Sequence, residues 1–252
     1  MQWKMRAMNE TTRLSGKDYF RIGKSRFRQF TPFRKNYTEA RCLVFPEFKI
    51  AYVPIPKCAN SSIRAALLPL IGIQPESIQK IQEFRGFEER NFKRFLKKEN
   101  LDNWYVFCVV RNPYSRFASA YLDKLVTRHE VLRPLRRMGL TKGDNFLRYM
   151  KMLSMWPIDA RNEHFAPQSR MLSKIGHLPE LNFHKFENLY NDWESIRQEI
   201  FTRSNILIPE LEHRNKTKTD SNWKNLYCEN TKALADQMAS EDFHNFGYEM
   251  EL

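Results

Sequence analysis

Glycine and cysteine are scarce in this chain, and their scarcity excludes several classes of protein. Among 252 residues there are 8 glycines and 4 cysteines, which are too few for glycine-rich linkers, a low-complexity chain or a disulfide-rich scaffold. The cysteines are widely scattered, at Cys42, Cys58, Cys108 and Cys228. With 42% hydrophobic residues, the chain is long enough to bury the core of one large domain.

Long apolar runs and metal-binding motifs are also missing. The most apolar stretch outside the predicted strands, residues 65–73, is short and contains Pro69, whereas a membrane-spanning helix needs about 20 apolar residues. Basic side chains punctuate the N-terminus, so we predict no secretory signal. The spacings typical of zinc and calcium sites do not occur, and we therefore expect no bound metal.

Positive charge dominates the composition. The formal net charge is +13 and the isoelectric point is about 9.6, so we expect an anionic partner. The basic runs at 133–137 and 213–218 would also suit a phosphate backbone. No nucleic-acid-binding motif accompanies them, and we therefore predict no nucleic-acid partner.

Residues 50–64 have the layout of an anion-binding cradle. Residues 50–53 are apolar and strand-forming, a short turn follows, and small hydroxylated residues open the next helix. The unpaired N–H groups and the dipole at a helix start attract an oxyanion, and Lys57 adds a full positive charge. The segment is not a Walker A loop, because it lacks the glycines and a Lys followed by Ser or Thr. On this segment alone, a purely structural strand-turn-helix unit is an equally good interpretation.

A second strand-to-helix junction carries an arginine. Residues 104–110 are continuously apolar, as in a buried parallel strand, and Arg111 follows directly. Asn112 and Pro113 suit a helix N-cap and first helical position, which places Ser119 on the following helix. The Arg111 guanidinium could donate hydrogen bonds to two oxygens of a phosphate group, and the Ser119 hydroxyl could donate to a third. The structural alternative is that Arg111 pairs with a nearby carboxylate and that Ser119 only packs.

The alternation of strands and helices predicts an α/β domain with a mostly parallel sheet. Ligands of such sheets bind beyond the carboxyl ends of the strands, where both junctions lie. We predict a basic, irregular N-terminal arm over residues 1–40 and a single domain over 41–252. Helices are expected at 61–70, after Pro113, at 192–201 and at 229–240.

Four ordered segments resemble one protein family. Residues 56–62 and 111–121 resemble the two nucleotide-binding signatures of sulfotransferases, and the carbohydrate type 2 family in particular. Residues 164–168 resemble that family's His-aromatic-x-Pro-Gln motif, and 242–248 resemble its Asp-Phe-x-x-Phe-Gly-Tyr ending. The resemblance spans about residues 45–249. It implies a P-loop-NTPase-like central parallel sheet flanked by helices, the sulfotransferase fold.

The resemblance also implies a cosubstrate, 3′-phosphoadenosine 5′-phosphosulfate (PAPS), with 3′-phosphoadenosine 5′-phosphate (PAP) as its product. The 5′-phosphosulfate would be held by Lys57, Cys58, Ala59, Asn60, Ser61 and Ser62. Lys57 would also neutralise the bridging oxygen as the S–O bond breaks. Arg111 and Ser119 would hold the 3′-phosphate. Asn60 departs from the Gly or Cys often found in that turn.

A later basic loop is a further candidate for the nucleotide. In the resembled family, the loop after the helix at 192–201 returns to the nucleotide, which makes Arg214, Asn215 and Lys216 candidate ligands of its phosphate or base. The alternative is a solvated basic loop, and the sequence does not decide between the two.

His164 is the base that the resemblance implies, taking a proton from an acceptor hydroxyl. Histidine titrates near neutral pH, which suits that role. From the residues alone, His164 could instead satisfy a buried hydrogen bond. Glu163 is an alternative base if burial raises its pKa. The acceptor would be a carbohydrate or glycan, with acidic glycans suited to the basic chain, and we expect the Lys/Arg-rich region 126–156 to wall its cleft.

Two rival functions and two locations stay open at this point. A nucleotide kinase would use a similar strand-turn-helix cradle, and a non-catalytic protein that binds anionic glycans would have the same basic surface. If the chain is complete, we expect a cytoplasmic, bacterial enzyme; a truncated eukaryotic relative would act in the Golgi lumen. The sequence does not indicate an oligomeric state.

Overall fold

The structure is a computed structural model that describes residues 14–27, 40–172, 181–211 and 220–252. The strands in these residues are β1 (Arg41–Phe45), β2 (Ile50–Val53), β3 (Glu89–Asn91), β4 (Tyr105–Val110) and β5 (Leu181–Lys185). They form a five-stranded sheet in the order β3-β1-β2-β4-β5.

The sheet has a parallel half and an antiparallel half. β4 lies between β2 and β5 and is parallel to both. β1 is antiparallel to β2 and to β3. The α/β prediction is confirmed, and the strands that precede both predicted phosphate motifs are parallel neighbours. β1 and β3 were not predicted; a 3-10 turn at Pro46–Phe48 and the left-handed Lys49 (φ 54°) fold β1 back onto β2.

Helices cover the sheet and connect its strands. They are α1 (Gly16–Phe27), α2 (Asn60–Ala66), α3 (Phe92–Lys98), α4 (Pro113–Tyr121), α5 (Arg133–Met138), α6 (Phe146–Met155), α7 (Gln168–Leu172), α8 (Leu189–Ser204) and α9 (Glu229–Asn245). α4 continues directly into a π-helical turn, Leu122–Thr127. The helices predicted after Pro113, at 192–201 and from 229 are confirmed, while the one predicted at 61–70 ends at Ala66 and is followed by a 3-10 turn, Leu68–Ile71.

The prediction of an irregular arm over residues 1–40 is wrong for residues 16–27, which form α1. Ser15 donates its N–H and hydroxyl to the Asp18 carboxylate, both at 2.8 Å, at the start of this helix. Asp18 in turn accepts two hydrogen bonds from the Arg148 guanidinium, at 2.9 and 3.0 Å. This partner lies on a distant helix, so local sequence could not indicate it. The division into an arm over 1–40 and a domain over 41–252 stays a prediction.

Two hydrophobic clusters form the core. One packs the sheet against α2 and α8, and it contains Trp193, Ile196 and Ile200, as the helical spacing predicted. The other fills the space between α4, α6 and α9 and contains Phe243. Burying a large apolar side chain stabilises a fold by roughly 1.5–3 kcal/mol. The first cluster contains the buried residues of β2 and β4, so the strands that precede both predicted motifs are part of the core.

Candidate active site

The two predicted phosphate motifs lie side by side. They follow β2 and β4, which are adjacent and parallel, with Val53 opposite Cys108 in the register. Arg111, directly after β4, donates from a guanidinium nitrogen to the backbone carbonyl of Lys57 at 3.2 Å. The loop after β2 and the arginine after β4 therefore belong to one site at the carboxyl edge of the sheet.

The loop after β2 presents backbone N–H groups at the start of α2. Lys57 (φ 74°) and Ala59 (φ 54°) both adopt left-handed backbone conformations, which non-glycine residues rarely occupy. Ala59 is the N-cap of α2, and no side chain caps this helix start. The Oδ1 atom of Asn60 is buried without a hydrogen-bond partner among the described residues. Uncapped N–H groups at a helix start suit a phosphate or sulfate oxygen.

Lys57 makes an ion pair with Asp123, which was not predicted as a site residue. Lys57 Nζ lies 2.9 Å from Asp123 Oδ2, and Asp123 also contacts Lys124 at 2.8 Å and Arg128 at 3.3 Å. Burial alone would raise the pKa of Asp123, but the ammonium groups of Lys57 and Lys124 outweigh it and hold that pKa well below its usual range. Because one carboxylate faces three cationic side chains, the local net charge at the site is positive.

Arg111 is held in position by polar and aromatic contacts. Its side chain is buried, its Nε donates to Ser115 Oγ at 2.9 Å, and its guanidinium carbon lies 4.3 Å from the centre of the Phe186 ring. Ser119, the predicted partner, is half-buried one helical turn beyond Ser115. The sequence places Ser115 on the same helix face as Ser119, four residues away, but the contact between Ser115 and Arg111 was not predicted.

A buried arginine ties the first motif to the His164 segment. Arg116 is 2% exposed. Its guanidinium donates to the backbone carbonyls of Pro56 at 3.1 Å, Ala166 at 2.7 Å and Glu163 at 3.0 Å. Each acceptor is a backbone group, so Arg116 fixes the paths of two loops. It thereby links the loop that contains Lys57 to the segment that contains His164.

His164 is oriented by its neighbour Asn162. The ring Nδ1 lies 2.6 Å from Asn162 Oδ1, and because this amide oxygen only accepts, Nδ1 carries the proton and Nε2 has the free lone pair. Burial, with the positive charges of Lys124 and Lys57, lowers the pKa of His164 to about 3. The imidazole is therefore neutral at neutral pH. Desolvation by the surrounding protein atoms raises the pKa of Glu163, although the residue keeps exposed surface, so both candidate bases stay open.

Gln168 and Asp242 connect the remaining motifs to the first two. Gln168 Oε1 accepts from the backbone N–H of Arg111 at 2.9 Å and from Cys58 Sγ at 3.3 Å. The buried Asp242 carboxylate accepts from the backbone N–H groups of Gln168 at 2.8 Å and Ser169 at 2.7 Å. Sequence reasoning assigned these polar residues no role, although Gln168 and Asp242 lie within the motifs at 164–168 and 242–248. Burial raises the pKa of the Cys58 thiol to about 12, so this thiol is protonated at neutral pH.

Some predictions fall outside these observations. Arg214, Asn215 and Lys216 lie outside the described residues. Within the described ranges, no three His, Cys, Asp or Glu side chains come together as a metal site. No helix in those ranges is both long and apolar enough to cross a membrane.

Comparisons with known proteins agree with the motifs. A family model described as "Sulfotransferase family" matches residues 40–249. The carbohydrate sulfotransferase 10 of Gallus gallus is 31% identical over 133 residues, which is 44% of this chain and 37% of that protein. The match thus covers little more than a third of that relative's length. None of the solved structures gave a significant match.

Proposed function

Because the chain belongs to the sulfotransferase family, we propose that it transfers the sulfuryl group of PAPS to a hydroxyl group of a carbohydrate. The observation that carries the proposal is the convergence of Lys57 and Arg111, which are joined by a hydrogen bond of 3.2 Å between the Arg111 guanidinium and the Lys57 carbonyl. Two cationic side chains at neighbouring strand ends suit a nucleotide that carries anionic groups at both its 5′ and 3′ positions.

The loop from Lys57 to Ser62 supports a role in binding the 5′-phosphosulfate. It offers uncapped backbone N–H groups at the start of α2 and the Lys57 ammonium, and both favour an oxyanion. Arg111 and Ser119 are proposed to bind the 3′-phosphate. Arg214, Asn215 and Lys216 stay candidates for further contacts with the nucleotide.

In the proposed reaction, an acceptor oxygen forms a bond to sulfur while the bond between sulfur and the bridging oxygen breaks. The acceptor proton goes to His164 Nε2, and the electron pair of the broken bond stays on the departing 5′-phosphate, next to Lys57. Such in-line transfers depend on positioning and on charge stabilisation at the leaving group. No metal is proposed to take part.

The environment of His164 suits a base that is strengthened by the donor. Burial is the main cause of its lowered pKa, and the positive charges of Lys124 and Lys57 lower it further. An anionic donor next to Lys57 would offset the second contribution. The imidazole is then expected to become a stronger base when the donor is present. Glu163, the neighbouring carboxylate, is the alternative base.

The acceptor is proposed to be a carbohydrate because the matched relative is named a carbohydrate sulfotransferase. That name applies to the relative, and for this chain the proposal specifies the carbohydrate class alone. Whether the enzyme acts in the cytoplasm or the Golgi lumen stays a prediction from the sequence.

The proposal is tested by nucleotide binding and by turnover. In isothermal titration calorimetry, PAP should bind and ATP with Mg²⁺ should not; the reverse would favour the nucleotide kinase. Incubation with ³⁵S-labelled PAPS and a panel of glycans should label at least one glycan. PAP binding without transfer to any glycan or simple sugar would contradict the proposed carbohydrate acceptor.

A further inference from the structure

A carboxylate lies next to Lys57, in a site whose other charged groups suit an anion. Asp123 Oδ2 accepts from the Lys57 ammonium at 2.9 Å and from the Lys124 ammonium at 2.8 Å. Its other oxygen, Oδ1, lies 3.3 Å from Arg128 Nε. A negative charge beside Lys57 repels an anionic donor, so this carboxylate is expected to reduce donor affinity.

Asp123 belongs to the helix that carries the two candidate-site serines. Ser115, Ser119 and Asp123 follow one another at intervals of four residues, so their side chains leave one side of the helix. Asp123 lies in the π-helical turn Leu122–Thr127, which continues α4, and turns of this kind occur often at functional sites. The helix that is proposed to bind the 3′-phosphate therefore also presents a carboxylate to Lys57.

Asp123 holds together two lysines that would otherwise repel each other. The ammonium groups of Lys57 and Lys124 share one carboxylate oxygen, and Lys124 is buried. Like charges at such short range move apart unless an anion lies between them. An ammonium group has three N–H donors, so Lys57 keeps two of them for a bound oxyanion. The carboxylate therefore fixes the Lys57 ammonium and leaves it able to bind the donor.

We propose that Asp123 is a positioning residue of the transfer reaction, which holds the Lys57 ammonium beside the leaving 5′-phosphate and apart from Lys124. The inference rests on the proposed sulfotransfer and adds to it a residue that acts through Lys57. Asp123 thereby lowers donor affinity and raises the rate of transfer. These opposite signs distinguish the role from a structural one, because a loss of folding lowers affinity and rate together.

The first test is Asp123→Asn, which removes the charge and keeps the shape of the side chain. In calorimetry, PAP should bind about two- to fivefold more tightly, the range for an ionic contact at a partly exposed site. The single-turnover rate with ³⁵S-labelled PAPS and a glycan labelled by the wild type should fall about tenfold or more, because Lys57 is misplaced. An unchanged rate, or a parallel loss of rate and PAP affinity, would overturn the inference.

A double-mutant cycle tests whether Asp123 acts through Lys57. Asp123→Asn is made in the wild type and in Lys57→Ala, and the single-turnover rate is measured for each protein. In the Lys57→Ala background, Asp123→Asn should change the rate by less than about twofold, because the group that it positions is already absent. A full tenfold loss in that background would show that the carboxylate acts independently of Lys57.

Two further variants separate charge from general effects. Asp123→Glu keeps the charge on a longer side chain, so it should restore wild-type PAP affinity and part of the rate. Asp236→Asn is the matched control: Asp236 pairs with Lys232 at the same 2.9 Å, and its side chain is 26% exposed against 28% for Asp123. If Asp236→Asn also tightened PAP binding and slowed transfer, the loss of any lysine ion pair would be the cause.

The wild type keeps this inference separate from the proposed function. If it binds PAP and labels a glycan while Asp123→Asn behaves identically, the role of Asp123 alone is rejected. If it neither binds PAP nor labels any glycan, the proposed function is rejected, and the positioning role of Asp123 is rejected with it.

Discussion

The side chain of Gln168 hydrogen-bonds both backbone groups of Arg111. Its Oε1 accepts from the Arg111 N–H at 2.9 Å, and its Nε2 donates to the Arg111 carbonyl at 2.8 Å. Gln168 is 0% exposed, so these bonds form without competition from water. The Gln168 amide thus takes the place of a neighbouring strand for the backbone of Arg111, directly after β4. These two bonds fix the direction in which the chain leaves the sheet at Arg111.

Replacing this amide should cost stability. Gln168→Leu leaves the N–H and carbonyl of Arg111 buried without these partners, and each lost partner costs about 1–3 kcal/mol. We expect the free energy of unfolding, measured in urea, to fall by about 2–4 kcal/mol. The control is Gln198→Leu, because Gln198 is exposed on α8. A change below about 0.5 kcal/mol for Gln168→Leu would show that the paired hydrogen bonds contribute little.

The role proposed for Arg111 predicts a loss of nucleotide affinity. Arg111→Ala should weaken PAP binding by about 2 kcal/mol or more, because a charge-assisted contact is lost. Ser119→Ala should cost about 1 kcal/mol, as for a neutral hydrogen bond. Calorimetry with PAP measures both. If 5′-AMP, which lacks the 3′-phosphate, loses equally much affinity in Arg111→Ala, the guanidinium does not contact that phosphate.

Lys57 should act mainly on the transfer step. Lys57→Ala is expected to lower kcat by about 10²–10³-fold, the range seen when a group that stabilises developing charge is removed. PAP affinity should fall less, because the backbone N–H groups at the start of α2 remain. Single-turnover kinetics with labelled PAPS separate the two effects, and Lys57→Arg is the control that keeps the charge. A decrease confined to PAP affinity would contradict the assignment to the leaving group.

The docking of α1 should depend on pH. Hydrogen bonds from Arg148 hold the pKa of Asp18 well below its usual range, so the pair stabilises the fold above the unfolded pKa of about 4 and loses this contribution as the pH falls. Asp18→Asn should cost about 3 kcal/mol at pH 7, because Asp18 is 1% exposed. The difference from wild type should shrink in urea unfolding at pH 3. The exposed Glu76 provides the control Glu76→Gln, and a pH-independent difference would exclude the ion pair as its cause.

The local sequence was sufficient to predict the positions of the candidate site residues that directly follow buried strands. The apolar runs that became β2 and β4 predicted where Lys57 and Arg111 would lie, because the carboxyl ends of parallel strands meet at one edge. Lys57 and Ala59 have left-handed backbone conformations although neither is glycine, the residue from which such a turn is usually predicted. Turn geometry without glycine is hard to predict, since non-glycine residues adopt it only under tertiary constraint.

Contacts between distant segments could not be predicted from the sequence. Gln168 reaches Arg111 across 57 residues and Arg148 reaches Asp18 across 130 residues. The local sequence around either residue of such a pair does not indicate its partner, because a buried polar side chain has many possible hydrogen-bond partners elsewhere in the chain. The antiparallel pair β1 and β2 was missed for a related reason: Pro46 and Lys49 make a turn that lacks the usual hairpin residues.

His164 should contribute to the pH dependence of stability through its low pKa. Burial and nearby positive charge lower that pKa to about 3 in the folded protein, against about 6.5 in the unfolded chain. Between these values the unfolded state binds a proton that the folded state does not, so stability rises with pH up to about 6.5 and is lost as the pH falls below it. The contribution is at most about 1.4 kcal/mol per pH unit.

Urea unfolding at pH 5.0, 6.0 and 7.0 should therefore show a smaller pH dependence of the free energy of unfolding for His164→Gln than for wild type. His129→Gln is the control, because His129 is an exposed histidine. If His164→Gln keeps the full wild-type dependence, the imidazole titrates near its ordinary pKa and other groups cause the pH effect.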